Sequence, residues 1–113
     1  MHEMTLAQNV VKIVEDAARR NGATRVAVVH VEIGGLSHVE PDALAFAFEA
    51  VARGGLVEGA RLDIHRKAGI ARCMACGETV RLERLGDPCP RCGDYQLQVT
   101  GGDEMRVRDI EIA

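Results

Sequence analysis

Apolar residues recur at helical spacing over residues 5–21, where Ala7, Val10, Val11, Val14, Ala17 and Ala18 make one stripe. Thr5 and Gln8 have the spacing of a capping box, and Asn21-Gly22 supplies a stop signal. From Arg25 to Ile33 the period changes to two. Ala27, Val29, Val31 and Ile33 form one face, the expected core side. Val26, Val28, His30 and Glu32 form the other, where His30 and Glu32 could pair. Gly34-Gly35 ends this strand. A second helix is expected in SHVEPDALAFAFEAVARGG: Ser37 and Glu40 repeat the capping-box spacing, and Pro41 suits a first helical position, which needs no N–H. Leu44, Ala47, Phe48 and Val51 form its stripe, and Gly54-Gly55 closes it. A second strand begins near Ala60, with Leu62 and Ile64 alternating against Arg61, Asp63 and His65.

The pattern then breaks. ARCMACGETVRLERLGDPCPRCG is rich in Cys, Gly and Pro and holds one short alternating piece, Thr79 to Leu85. Gly101-Gly102 marks the exit, and EMRVRDIEI reads as a closing strand whose apolar phase shifts between Val107 and Ile110. A bulge near Arg108-Asp109, or burial on both faces, would accommodate that shift. The expected fold is α+β: two helices with a small mixed three-stranded sheet over residues 1–69 and 101–113, and a cysteine-rich excursion over 70–100.

Composition narrows the picture. The chain has 113 residues, no Trp, one Tyr and two Phe, so the core must be aliphatic. A domain this short often needs a metal or disulfides as a staple. The net charge of −3 argues against non-specific nucleic-acid binding. Charge is uneven, however. Arg61, Arg66, Lys67, Arg72, Arg81, Arg84 and Arg91 face only Asp63, Glu78, Glu83 and Asp87 between positions 61 and 92. With no basic-then-apolar opening and no apolar run near 18 residues, a reducing cytoplasm and no membrane association are expected.

In that compartment, paired cysteines are read as metal ligands before disulfides. Cys73-x-x-Cys76 and Cys89-x-x-Cys92 are separated by twelve residues. Each CxxC turns two sulfurs toward one point, and two such knuckles build a tetrahedral four-sulfur cage that suits zinc or iron. Gly77 and Gly93 follow the pairs, where the knuckle backbone passes through conformations disfavoured for other residues. A closed four-cysteine site leaves no open coordination position, so its expected role is structural.

The opening MHE poses a separate question. The Met1 amine, the His2 amide nitrogen and the His2 imidazole can close two fused chelate rings around one ion. The Glu3 amide would complete a plane of nitrogens that favours Ni(II) or Cu(II). Glu3 could alternatively offer its carboxylate, or favour the positive end of the first helix. From residue chemistry alone His2 reads first as a solvated, idle residue at a chain end, and only second as a ligand. His30 and His38 carry no assigned role, and His65 is placed on a solvent face.

MHEMTLAQ, VEIGGLSHVEPDALAFAFEAVARG with EGARLDI, the C-x2-C-x12-C-x2-C and the terminal MRVRDIEI together resemble the HypA-type (HypA/HybF) nickel metallochaperones of NiFe-hydrogenase maturation. The resemblance covers essentially the whole chain. It implies an α/β nickel domain with a zinc domain inserted before the last strand. It further implies Ni(II) as cargo held through Met1, His2 and Glu3, and structural Zn(II) held by Cys73, Cys76, Cys89 and Cys92. Delivery to a hydrogenase large-subunit precursor with a partner GTPase (HypB) is implied too, and self-association is compatible with it. Some members flank the cysteines with histidines; here Arg72, Met74, Ala75, Gly77, Pro88, Pro90, Arg91 and Gly93 stand there, which gives a histidine-driven pH response of that site no support.

Two other classes compete. A zinc-ribbon interaction module binding nucleic acid or protein accounts for the cysteines and for Arg72, Arg81, Arg84 and Arg91, but leaves MHE unexplained and lacks stacking aromatics. An enzyme is not expected, since no Ser/His/Asp spacing, phosphate loop or open zinc site is visible.

Overall fold

A computed structural model describes residues 3–113. The order of elements is α1 (Glu3–Arg20), β1 (Val26–Gly34), α2 (Pro41–Ala52), β2 (Arg61–Lys67), β3 (Gly69–Cys73), β4 (Thr79–Leu82), β5 (Leu97–Gly101) and β6 (Met105–Ile112). Two three-stranded sheets result, ordered β2-β1-β6 and β4-β3-β5. The chain divides into two compact units. One takes the residues up to Glu32, His38–His65 and Arg106–Ala113; the other takes Ile33–Ser37 and Arg66–Met105.

In the first unit, α1 packs on α2. Ala7, Val10, Val11, Val14 and Ala18 are buried as the helical period requires. Thr5 lies inside the first turn and does not cap it, because the helix already includes Glu3, whose negative charge suits that end. The other end closes in a Schellman motif: Gly22 N–H donates to the Arg19 carbonyl and Ala23 N–H to that of Ala18, with Gly22 at φ 69°. In α2 the capping group is Glu40, which accepts from the Ala43 N–H at 2.8 Å, with Pro41 following at the first position. Ser37 takes no part in that cap; its hydroxyl donates to the Gly34 carbonyl at 2.7 Å. Leu44, Ala47, Phe48 and Ala52 are the buried residues of the stripe, while Val51 is half-buried. Val57, in the loop after α2, is fully buried. That loop is tied to α1 by Leu56 N–H donating to the Glu15 carboxylate at 3.0 Å.

Strand β1 lies at the centre of its sheet. Val29, Val31 and Ile33 are buried as expected, but Ala27 is exposed, while Val26 and His30 of the polar face are buried. Central strands are covered from both sides, which overrides simple alternation. The closing strand β6 returns to this sheet beside β1, and its change of phase falls at two consecutive exposed residues, Arg108 and Asp109.

The second unit contains more strand than its composition suggests. β3 is paired with β4 through Gly69–Leu82, Ile70–Arg81, Ala71–Val80 and Arg72–Thr79, and on its other edge with β5, both antiparallel. The alternating piece ends at Leu82, short of Leu85. The apolar interior is small: Leu36, Ala71 and Leu82 with Leu97 and Val99, and a second cluster of Cys73, Val80 and Cys89. Two glycine pairs meet where the chain enters and leaves this unit. Leu36 N–H donates to the Gly102 carbonyl at 2.8 Å and Gly34 N–H to that of Glu104 at 2.9 Å. A side chain on Gly34 would overlap the Gly102 carbonyl, and one on Gly102, at φ 75°, would overlap that of Ala68. Gly34 and Gly102 are therefore required by close backbone approach as well as by turn geometry.

Candidate metal centre

The strongest chemical feature lies in the second unit. Cys73 ends β3, and Gly77 N–H donates back to its carbonyl at 2.8 Å. Gly93 N–H donates to the Cys89 carbonyl at the same 2.8 Å. Both glycines take left-handed backbone, φ 78° and 80°, so the two CxxC segments are near-copies of one knuckle. Further bonds hold each knuckle: Cys73 N–H to the Glu78 carbonyl at 2.9 Å and Cys89 N–H to that of Asp94 at 2.7 Å.

The knuckles face each other. Cys73 Sγ lies 3.6 Å from Cys92 Sγ, and Cys76 Sγ lies 3.9 Å from Cys89 Sγ. A tetrahedral ion with Zn–S bonds of about 2.3 Å spaces its sulfurs roughly 3.8 Å apart, so the donor set and spacing fit such an ion. None of the four is in a disulfide; Cys73 and Cys89 are buried, Cys76 and Cys92 exposed. Proton affinity is shared unequally. The Cys92 N–H, followed by that of Arg91, pulls the Cys89 thiol down to about 7. The Cys92 thiol is pushed up to about 12, because the pull of the Asp94 N–H is outweighed by the adjacent sulfurs, Cys73 foremost, and by partial desolvation. Four sulfurs this close cannot all ionise unless a cation neutralises them.

Of the expected nickel residues, Glu3 opens α1 and is half-buried, whereas Met1 and His2 lie outside the described residues. A second group of metal-ligating side chains, His30, Asp63 and His65, comes together on the first unit's sheet. Sequence reading missed it. His30 pairs with His65, while Glu32 accepts from Arg106 Nε at 2.9 Å. His65, placed on a solvent face by alternation, is half-buried against that ring. No single segment carries the signal; only the register of β1 against β2 does. No helix among the described residues is long and apolar enough to cross a membrane.

Comparison with known proteins gives one answer throughout. A family model described as hydrogenase/urease nickel incorporation, metallochaperone, HypA matches residues 1–112. Hydrogenase maturation factor HypA 2 of Bradyrhizobium diazoefficiens is 53% identical over 112 residues, covering 99% of each chain. Hydrogenase maturation factor HypA of Albidiferax ferrireducens is also 53% identical over 112 residues, with the same coverage. Among solved structures, the solution structure of the Ni metallochaperone HypA from Helicobacter pylori superposes with a TM-score of 0.72 at 28% identity, covering 99% of this chain and 97% of that one.

Proposed function

Because this chain belongs to the HypA family of nickel-incorporation metallochaperones, we propose that it binds Ni(II) through Met1, His2 and Glu3 and delivers it for maturation of a NiFe hydrogenase. The observation that carries this reading is the family match along residues 1–112, which includes the opening MHE as well as both cysteine pairs. Nickel is cargo here, not a resident cofactor. The Met1 amine, the amide nitrogens and the His2 imidazole supply a largely nitrogen donor set at a chain end, suited to Ni(II) and open to an incoming acceptor. Delivery is then ligand exchange: the acceptor displaces terminal donors one at a time. Protons compete for those donors, so nickel affinity falls as pH falls.

Cys73, Cys76, Cys89 and Cys92 hold Zn(II) in a structural role. When bound, the ion cross-links the two knuckles and supplies folding energy that the small apolar clusters of that unit lack. The chain works in the cytoplasm with a maturation GTPase of the HypB type and with the large-subunit precursor, and performs no catalysis of its own.

His2→Ala tests the nickel site. Nickel titration of the zinc-loaded variant is expected to lose the tight equivalent, with zinc content and far-UV circular dichroism unchanged. A variant that titrates like the parent protein would rule the terminal site out.

A further inference from the structure

We propose that His30, Asp63 and His65 form a second transition-metal site, taking a divalent first-row ion such as Ni(II) or Zn(II) independently of the terminal motif and of the cysteine cage. His30 stands on β1, the central strand, while Asp63 and His65 come from β2 on one side and Asp109 and Glu111 from β6 on the other. It is the one polar side chain buried among the described residues, at 9% exposure.

Geometry makes this a ligand set. His30 Nδ1 lies 2.9 Å from His65 Nε2 and 3.3 Å from Asp63 Oδ2, and His65 Nε2 lies 3.7 Å from the same Asp63 oxygen. An ion bound tetrahedrally by nitrogen and oxygen at about 2.0–2.1 Å spaces its ligands roughly 3.3 Å apart. The three measured separations bracket that value. On the far side of the ring, His30 Nε2 is 2.6 Å from Glu111 Oε2, with Asp109 Oδ1 at 3.8 Å. A neutral imidazole carries one N–H. Donation from Nε2 to Glu111 leaves the Nδ1 lone pair aimed at His65 and Asp63, the carboxylate–histidine–metal arrangement that orients ligands in metalloproteins.

Without an ion, one hydrogen sits between the two rings, on His65 Nε2. When an ion takes its place, that hydrogen relocates through solvent to His65 Nδ1 and no proton is released. Arg61 approaches the shared Asp63 oxygen at 3.8 Å, but its side chain is 70% exposed, so this contact is weak and readily surrendered. Asp63, Asp109 and Glu111 bring more negative charge to the cluster than Arg61 and Arg108 offset, which favours a cation. Three protein ligands leave at least one coordination position open, and the His65 side chain is one-third exposed. Unlike the closed thiolate cage, this site exchanges its ion with solvent or with a ligand-bearing partner.

The test uses the full zinc-loaded chain carrying His2→Ala, so that terminal binding cannot contribute. It is titrated with Co(II) and read by visible d–d absorption. One saturable equivalent is expected, without the ultraviolet thiolate-to-cobalt band that entry into the cysteine cage would produce. Adding His65→Ala or the near-isosteric Asp63→Asn should abolish saturable binding while circular dichroism stays unchanged. Glu111→Gln should weaken binding about 10-fold, the scale of losing a ligand-orienting carboxylate. Absence of a saturable equivalent, a thiolate band in its place, or equal binding in the His65 and Asp63 variants would each overturn the proposal.

Discussion

The two units solve the same problem of size in opposite ways. In the first, two amphipathic helices, the central strand and the loop after α2 bury a largely aliphatic set: Val10, Val14, Val29, Val31, Leu44, Phe48 and Val57. In the second, three short strands enclose two small clusters, one of which is two-thirds cysteine. Apolar burial stabilises in proportion to area, so the first unit can stand on packing, while the second needs a cross-link. The difference teaches where a structural metal would matter most in this chain: the four-cysteine cluster stands where the hydrophobic core runs out.

The largest effect should come from removing the staple. Chelation of zinc, or Cys73→Ser, is expected to abolish amide protection across β3, β4 and β5 while α1, α2 and β1 keep theirs. Residue-resolved hydrogen exchange would read this, and loss of protection throughout both units would break the contrast. Conversely, Leu44→Ala strikes the packed unit. Leu44 is 1% exposed, and truncation should cost about 2–5 kcal/mol in denaturant unfolding with zinc content unchanged. A smaller step sharpens the picture of the glycines. Gly102→Ala should cost about 1 kcal/mol from left-handed backbone, with overlap on the Ala68 carbonyl adding to it. Gly22→Ala, at φ 69° with open space around it, should cost only about 1 kcal/mol. Equal losses at the two glycines would show that the close approach at Gly102 is not tight. Smallest is Glu40→Ala, which removes the acceptor for the Ala43 N–H and should lower stability by about 1 kcal/mol.

How legible each site was follows from how it is assembled. The cysteine cage is local: two knuckles of four residues, each with its glycine, announce themselves by spacing, and the left-handed glycines stand where expected. The helices were legible for the same reason, since their stripes repeat within one segment. Their caps were less so. Glu40 displaced the Ser37 box because a carboxylate directly before Pro41 reaches the free N–H groups itself. Strands β3 and β5 were missed because GIARC and LQVTG are too short to show a period of their own; pairing to neighbours defines them. The His30 cluster was the least legible. Its members are separated by 33 and 35 residues from β1 to β2 and by 81 from His30 to Glu111, and only the register of the folded sheet brings them together. Ala27 and His30 inverted the expected faces of β1 for a related reason, since a central strand is buried by what lies beside it.

The central claim is that nickel is carried at the chain end through Met1, His2 and Glu3. Metal analysis of two zinc-replete proteins equilibrated with Ni(II), one beginning at Met1 and one with residues fused ahead of it, tests it most directly. The fusion removes the Met1 amine while leaving His2 and Glu3 in place. The expected result is equal zinc in both, with tightly held nickel in the first and its loss in the second. Equal tightly held nickel in both would contradict the claim and place the cargo on internal ligands.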